Sequence, residues 1–515
     1  MRSGISQERF DVVIVGFGPT GAVAAGLLGK QGIRTLVCDK SQDVYDKPRA
    51  IALDHEILRV FQQMGIAQSI EPYLEPFTDS VYYGVGGQVI KRMSTVAKPY
   101  PLSHTPSVVF TQPPVEKILR EYASSQDSVS VELGLTLIDL TQDTQHASLT
   151  LQGEDGSCSQ ITTRFVIGCD GASSTVRSLA GIELHDLGFD EPWLVVDVKV
   201  NERGLAKLPT TSVQYCKPER PATYVIGPGN HRRWEISINP GEDPRHLATP
   251  DETWKLLAPW LNKDDGILWR QASYRFHALV AEEWRSNRIF VAGDAAHQQP
   301  PFLGQGMCQG IRDAVNLSWR LNAVLKEGAA ETLLNTYGIE RKSHVVDLTN
   351  RIKGIGKLIT ERDVEKARAR DAKLLAECGG VVKPTPRQDV QPALTVGLLG
   401  SISHPARGTI FPQALLNQPN GDTVRMDDLY PAGWRIFLRA SASDDFGNAS
   451  KHHHLSSISL LKLGSPAFAE AEGVLAQWFE KHDVQAVIVR PDHYIYAVCN
   501  TPQELSEELD ALKLA

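Results

Sequence analysis

Short hydrophobic runs alternate with a helical segment at the start of the chain. The apolar run 10–15 predicts a buried strand, and an alanine-rich helix is predicted over 22–31. A turn at Gly32 leads to a second apolar run, 35–38, which ends in Asp39. Strand, helix and strand in this order predict a βαβ unit with two parallel strands.

A similar pattern of strand, loop and helix recurs over 288–319. The apolar run 289–292 predicts a strand, and Gly293 and Asp294 follow where it ends. From Met307 the pattern is helical, with apolar residues on one face and Arg312, Asp313, Asn316 and Arg320 on the other. An acid, a rigid glycine loop and a helix N-terminus predict a site for a ligand with hydroxyls and partial negative charge.

The remaining segments divide the chain into domains. Period-two alternation predicts strands over 183–285, which we interpret as a separate sheet that covers a cofactor and forms the wall of a substrate pocket. The fold class is α/β, an α+β multidomain protein with a Rossmann-type domain. The expected boundaries are 1–75, 106–182 and 286–378 for the nucleotide-binding domain, 76–105 and 183–285 for the sheet domain, 379–410 for a linker and 411–515 for a small α/β domain.

A G-x-G-x-x-G motif follows the first strand directly. Gly16, Gly18 and Gly21 allow a tight turn, close approach of a pyrophosphate and close helix packing. Asp39 at the end of the second strand is placed to bind a pair of ribose hydroxyls. The motif with its strand, helix and terminal acid predicts a dinucleotide site.

Three polar residues near this motif are further candidates for the same ligand. Arg49 lies where a guanidinium can bind a pyrophosphate in bidentate fashion, although a solvent-exposed loop arginine is the plainer alternative. Gln112 lies at a predicted strand-to-helix junction. Asp170 closes a strand before Gly171, which indicates a return to the first domain.

Composition excludes several classes of protein. A chain of 515 residues is too long for one core, so we expect two or three domains. The net charge of −8 and the lack of a basic block argue against nucleic acid, and no apolar run approaches the roughly 18 residues of a membrane span. Seven scattered cysteines without a C-x-x-C indicate reduced thiols, and we expect a cytoplasmic protein without a metal site. Three consecutive histidines, 452–454, are interpreted as a loop.

Taken together, three motifs resemble the fingerprints of the FAD-dependent aromatic hydroxylases, the group A flavin monooxygenases. They are the glycine motif at Gly16, the triplet 169–171 and the pair Gly293-Asp294. The flanking segments 46–54 and 293–321 are similar to those of 3-(3-hydroxyphenyl)propionate hydroxylases, with Arg320 in place of the usual lysine and Asp39 in place of a glutamate. The resemblance covers the whole chain and implies a thioredoxin-like C-terminal domain without redox cysteines.

The resemblance implies a set of cofactor-binding residues. Asp170 would contact both FAD and NAD(P)H, and Pro300 with the loop 304–306 would lie beside the isoalloxazine. With one dinucleotide motif, NADH or NADPH would bind only transiently. The residues expected to bind FAD are Gly16, Gly18, Gly21, Asp39, Lys40, Arg49, Gln112, Asp170, Asp294, Pro301, Gly304, Gln305, Gly306 and Met307.

The same resemblance implies the reaction. No side chain activates O₂, so a cofactor must do so. NAD(P)H would reduce the flavin, and a flavin C4a-hydroperoxide would hydroxylate a phenol, expected to be a hydroxyphenylpropionate-like aromatic acid. Tyr215 or Tyr224 is expected at the phenol, with Pro300 as a further catalytic candidate and an arginine for the carboxylate. The acid–base or anchoring candidates are His55, Tyr82, His104, Tyr215, Arg220, Tyr224, Arg233 and His277.

Several alternatives stay open at this point. The substrate can be another phenol, a resorcinol or a heteroaromatic, since a fold does not fix a substrate. A flavoprotein reductase that does not use O₂ and a flavin-binding sensor are further alternatives. A flavin halogenase is disfavoured because its W-x-W-x-I-P motif is missing. A homodimer is expected only because symmetric dimers are the commonest oligomers.

Overall fold

The computed structural model describes residues 10–450, 458–466 and 468–512, and its first sheet has eight strands. The five central strands are parallel. Across the sheet they are ordered Ile289–Val291, Cys158–Gly168, Phe10–Val15, Thr35–Asp39 and Val129–Leu133. Antiparallel pairing adds Leu135–Gln142, Ala147–Gly153 and Arg285–Ser286. Two later strands, Cys158–Gly168 and Ile289–Val291, therefore extend the sheet on one side of Phe10–Val15. On its other side Phe10–Val15 is parallel to Thr35–Asp39, which confirms the predicted βαβ unit.

The turn after the first strand requires glycine. Gly16 has a φ of +102°, and a Cβ atom there would overlap the carbonyl group of Cys169 on the neighbouring strand. Between residues 19 and 377, apart from the short helices that belong with the second sheet, the helices are Pro19–Lys30, His55–Met64, Ala67–Ile70, Gln112–Ser124, Thr175–Leu179, Gly306–Lys326, Asn335–Thr360 and Val364–Glu377. A small sheet of Ala52–Asp54, Ser107–Phe110 and Leu74–Pro76 lies beside them.

A second sheet of nine strands forms the middle of the molecule. In order it contains His297–Gln298, Gly266–Ala281, Leu184–Val200, His231–Ser237, Ala222–Ile226, Ser212–Tyr215, Ser80–Tyr83, Val89–Ser94 and Pro384–Pro386. One face carries Tyr224 and Trp234 and packs on residues of the short helices Pro244–Leu247 and Pro250–Leu257; Glu202–Leu205 is another short helix of this region. The opposite face carries Trp193, which packs on Phe302 and Ile352.

The last turns of the helix Asn335–Thr360 pack against this second sheet. They bury Ile352 and Ile359 in the same cluster as Trp193. Burial of those side chains stabilises turns whose local sequence carries no strong helix signal.

The C-terminal region has its own four-stranded sheet, as expected for a small α/β domain. Its order is Ile458–Lys462, Trp434–Leu438, Ala486–Val489 and Ile495–Cys499; the first pair is parallel and the other two pairs are antiparallel. A hairpin of Leu415–Asn417 and Thr423–Arg425 precedes it, and the helices are Met426–Leu429, Asp445–Ala449, Val474–His482 and Pro502–Ala511. The thioredoxin-like assignment stays a prediction, and the three histidines at 452–454 lie outside the described residues.

The segment expected to be a linker packs against the second sheet and against the loop before Gly306. Pro384–Pro386 adds an edge strand to the second sheet by pairing with Val89–Ser94. Arg387 donates a hydrogen bond to the carbonyl of Leu303 at 3.0 Å, and the amide of Gln391 donates to Gln305 at 2.7 Å. The segment thus wraps the molecule and holds the loop before Gly306. None of the described helices is long and apolar enough to cross a membrane.

Buried ion pairs join the C-terminal domain to the rest of the molecule. Glu340 is fully buried, and its carboxylate accepts hydrogen bonds from both terminal nitrogens of Arg490 at 2.9 and 2.8 Å. Arg320 lies 2.7 Å from the same carboxylate. The two guanidinium groups hold the pKa of Glu340 at about 2 despite the opposing effect of burial. Arg59 makes a second such link, at 2.6 Å from Asp427.

We predict that Glu340→Gln lowers the free energy of unfolding by about 3 kcal/mol, because two buried guanidinium groups lose their counter-charge. Since folding lowers the pKa of Glu340, its contribution is complete above the unfolded value near 4.5 and declines as the pH falls toward 2. Chemical denaturation at pH 7 and pH 3 measures both effects. The matched control is Glu365→Gln, which removes an exposed carboxylate paired with Arg368 and should change stability by less than about 0.5 kcal/mol. Equal stability of the two variants at pH 7 would contradict the prediction.

Candidate active site

A cavity of about 380 Å³ lies between the carboxyl ends of the parallel strands and the inner face of the nine-stranded sheet. The glycine loop contributes Gly18 and the N-terminus of the helix Pro19–Lys30. Asp294 and the loop before the helix Gly306–Lys326 contribute a second side. The sheet contributes the facing wall. Ligands in α/β proteins bind at this end of a parallel sheet.

The glycine motif and Asp39 form the nucleotide end of this site. Asp39 ends its strand, and its carboxylate accepts hydrogen bonds from the backbone amides of Phe17 at 2.6 Å and Ser41 at 2.7 Å. Lys40 follows and is exposed. The first turn of the helix Pro19–Lys30 carries no acidic side chain, so its positive end is free to meet a pyrophosphate.

Gln112 supports the loop that carries Arg49. The Gln112 carbonyl oxygen accepts hydrogen bonds from the backbone amides of Arg49 at 3.1 Å and Ala50 at 2.6 Å. Its amide donates to Glu116 at 2.9 Å. The guanidinium of Arg49 lies 3.6 Å from Glu116 and is half exposed, with Arg49 lining the cavity. Gln112 is thus the first residue of its helix and a brace for the backbone of 49–50.

The other predicted cofactor residues divide into two groups. Asp294, Pro301, Gly304, Gly306 and Met307 line the cavity, and Asp294 is exposed within it. Asp170 and Gln305 form the second group: they do not line the cavity but hold the loops that do.

Asp170 is the clearest of these supporting residues. Its carboxylate accepts from the backbone amides of Thr175 at 2.7 Å and Val176 at 3.1 Å, and so fixes the loop whose Cys169 and Gly171 line the cavity. Gln305 faces away, accepting hydrogen bonds from Arg312 and Gln391. Pro300 is buried and does not line the cavity, whereas the adjacent Pro301 does.

The sheet wall carries charged groups from the strand His231–Ser237. Arg233 is buried against Asp197 at 2.7 Å and also donates to the backbone carbonyl of Arg49 at 2.8 Å. Glu235 lines the cavity, and only 5% of its surface is exposed. Burial raises the pKa of Glu235 to about 7, with Arg233 lowering it and Asp197 raising it. The carboxyl group is therefore poised to exchange a proton near neutral pH.

The structure does not bring Tyr215 and Tyr224 to this cavity. The hydroxyl of Tyr215 accepts a hydrogen bond from the indole of Trp260 at 3.0 Å, and that of Tyr224 donates to the carbonyl of Pro209 at 3.3 Å. Both belong to the core between the sheet and its outer helices. Side chains alternate between the two faces of a strand, and these tyrosines occupy the face turned away from the cofactor loops.

Of the other acid–base candidates, Arg233 and His277 line the cavity. His55 lines a separate cavity, Tyr82 is buried with its hydroxyl directed to Met93, and Arg220 pairs with Glu242. His104 is buried beside Gln62.

Sequence reasoning missed Glu235, although a signal was present. In the strand His231–Ser237, Arg233, Glu235 and Ser237 alternate with Trp234 and Ile236. The two apolar residues face the outer core. A strand with large apolar residues on one face and charged residues on the other indicates that the polar face meets a ligand or an ion-pair network.

Comparisons with known proteins agree with this geometry. A family model described as an FAD binding domain matches residues 9–352, and one described as the HcaD C-terminal domain matches residues 408–515. A probable NADH-specific resorcinol 4-hydroxylase of Rhodococcus jostii (strain RHA1) is 34% identical, over 98% of this chain and 94% of its own. A 3-(3-hydroxy-phenyl)propionate/3-hydroxycinnamic acid hydroxylase of Burkholderia vietnamiensis (strain G4 / LMG 22486) is 30% identical, over 96% and 94%.

Solved structures show the same fold. The flavin-dependent monooxygenase PieE, in complex with FAD and substrate, aligns with a TM-score of 0.82 at 20% identity over 98% of both chains. Aklavinone-11 hydroxylase, in a ternary complex with FAD and aklavinone, aligns with a TM-score of 0.78 at 21% identity over 97% of this chain and 99% of its own.

Fold and cavity together define a flavoprotein monooxygenase. The chain belongs to the FAD-binding family whose model spans 9–352, and it is an FAD-dependent, NAD(P)H-using aromatic hydroxylase, as its sequence motifs indicate. The residues present fit FAD, since Gly16 leaves no room for a side chain where the cofactor loop turns and Asp39 ends the second strand of the βαβ unit.

We predict that Gln112→Ala weakens FAD binding about tenfold, equivalent to about 1.4 kcal/mol, because the amides of Arg49 and Ala50 lose their acceptor. Flavin fluorescence during titration of the deflavinated protein measures the dissociation constant. The control Gln503→Ala changes an exposed glutamine on the C-terminal helix and should leave FAD affinity unchanged. Unaltered affinity in Gln112→Ala would show that the loop does not depend on this brace.

Proposed function

We propose that this protein uses NADH and O₂ to add a hydroxyl group to the ring of a phenol. The observation that carries the proposal is the single cavity that joins the cofactor loops to a wall bearing aromatic rings and an acid–base group, namely Tyr274, Phe276 and Glu235. A named relative is NADH-specific, which favours NADH over NADPH. The two named relatives act on resorcinol and on hydroxyphenylpropionate, so both compounds belong in the first test.

We propose that most residues expected from the sequence hold the cofactor. Gly16, Gly18 and Gly21 would receive the pyrophosphate with Arg49, and Asp39 would bind the ribose of the adenosine. Asp294 would bind the hydroxyl chain, and the loop 301–307 would hold the ring system. Asp170 and Gln305 would keep these walls in place from behind, whereas Gln112 lines the cavity itself and would brace the backbone of 49–50. When bound and reduced, FAD supplies the activation of O₂ that no side chain can supply.

The protein itself contributes position, charge and exclusion of water. The helix Gly306–Lys326 begins at the cavity, and its N-terminal amides favour negative charge there. Arg233 ties the sheet wall to the backbone of Arg49, which keeps the two sides of the cavity at a fixed separation. The apolar cluster around Trp193 and Phe302 packs on the same inner face of the sheet and keeps water from that side.

We also propose a cellular location and an oligomeric state. A cytoplasmic location is supported by the seven cysteines, all of which lie in the described part of the chain as free thiols. A homodimer is supported only by the general frequency of symmetric pairs, and light scattering after size exclusion tests it.

We predict that resorcinol, or another phenol of a panel that includes 3-(3-hydroxyphenyl)propionate, accelerates NADH oxidation by the FAD-loaded protein. The product should be heavier by one oxygen atom and should carry label from ¹⁸O₂. Chromatography with mass spectrometry measures the product, and a peroxide assay measures uncoupled oxidation. A reductase that does not use O₂ would give products without label, and that result would contradict the proposed hydroxylation.

A further inference from the structure

Glu235 is an acid inside the cavity that the fold leaves without a partner. Only 5% of its surface is exposed, and no described residue donates a hydrogen bond to its side-chain carboxylate. On neighbouring strands its register partners are Val195 and Thr223. The hydroxyl of Thr223 is already directed to Gln214 at 2.6 Å. A buried carboxyl group without a partner is costly, so its retention calls for a ligand that completes its hydrogen bonding.

The arginines of the cavity are engaged elsewhere. Arg233 is held by Asp197 at 2.7 Å, and Arg275 forms two hydrogen bonds with Asp190 at 2.6 and 2.7 Å. Arg49 lies on the cofactor side of the cavity, near Glu116. The arginine expected to anchor a substrate carboxylate is therefore missing from the set that lines the sheet wall in the described residues.

The charges around Glu235 oppose a second anion. Asp197 lies behind Arg233 on the same sheet, and Asp294 faces the cavity from the cofactor side. His277 lines the rim, 3.4 Å from Asp190. A carboxylated substrate would bring a further negative charge into this cavity, where the described residues of the sheet wall offer no unpaired arginine to meet it.

We infer that Glu235 binds the phenolic hydroxyl of the substrate and accepts its proton, and that the substrate is a neutral phenol without a carboxylate. This inference rests on the proposed hydroxylation. In the proton transfer, the O–H bond of the phenol breaks, the proton joins the Glu235 carboxylate, and the electron pair stays on the phenol oxygen. The resulting phenolate is the electron-rich form of the ring that hydroxylation needs, and Glu235 becomes a neutral acid.

The raised pKa of Glu235 suits this role. A carboxyl group near pKa 7 is a stronger base than an ordinary glutamate, and it becomes ionised as the pH rises through about 7. Phenol hydroxylation should therefore increase as the pH rises through about 7 and then level off. Tyr274, His277 and Asp294 also line the cavity. They are unchanged in every variant of the test below, so a change of pH profile between the variants reports on Glu235.

The test uses the FAD-loaded protein and compares resorcinol with 3-hydroxybenzoate and 3-(3-hydroxyphenyl)propionate. Dissociation constants come from the change in flavin absorbance without NADH, so binding is read independently of turnover. Product formation is measured separately from pH 5.5 to 8.5. The variants are Glu235→Gln, Glu235→Asp and the control Glu365→Gln, which changes an exposed carboxylate that pairs with Arg368. FAD content and melting temperature show whether each variant is folded.

We expect the wild type to bind resorcinol at least tenfold more tightly than either carboxylate. Glu235→Gln should weaken resorcinol binding at least tenfold, remove the rise in rate near pH 7 and leave FAD content unchanged. Glu235→Asp keeps the acid on a side chain one methylene shorter, so it should bind resorcinol more weakly than the wild type and shift the pH at which the rate rises. The control should match the wild type. If Glu235→Gln fails to fold, the pH profile and resorcinol affinity of Glu235→Asp decide between an acid–base role and none.

Two results would overturn the inference while leaving the proposed function intact. One is hydroxylation by the wild type with a preference for a carboxylated phenol. The other is a folded Glu235→Gln, or Glu235→Asp in its place, with the affinity and pH profile of the wild type. Failure of the wild type to hydroxylate any phenol would overturn the proposed function and this inference together.

Discussion

The structure depends on the burial of charge along one helix, Gly306–Lys326. Arg312 and Asp313 are buried on it, as are Asn316 and Arg320. Arg312 binds Asp54 at 2.6 Å, next to the helix His55–Met64. Each such charge is costly to bury alone and stabilising only when its partner is in place, so the helix fixes the relative position of every element it contacts.

This network also positions the cofactor loops. The carboxylate of Asp313 accepts hydrogen bonds from the backbone amide of Gly293 at 2.9 Å and from His297 at 2.8 Å, on either side of Asp294. Arg341 approaches the same carboxylate at 2.8 Å. The acid that faces the cavity is thus held by charges behind it, which places a functional residue on a rigid support.

The wall opposite is set by the alternation of a β-strand. Trp234 and Ile236 turn toward the outer core, and this sends Arg233 and Glu235 toward the cavity. Arg233 is neutralised by Asp197, whereas Glu235 meets no partner within the described protein. Two residues apart on one strand, Arg233 is paired within the protein and Glu235 is not. The unpaired carboxylate therefore indicates the position of a ligand.

The sequence by itself determined the βαβ unit, the G-x-G-x-x-G loop and the acid at Asp39, because these follow from local periodicity and from the need for glycine at fixed positions. It also determined the family, since three ordered motifs span the chain. Only the tertiary structure decided which face each strand turns to the cavity: Tyr215 and Tyr224 proved to be outer-core residues, and Glu235 the inner one. The physical reason is that alternation fixes two faces but not which of them is covered, and that choice depends on packing between segments far apart in the chain.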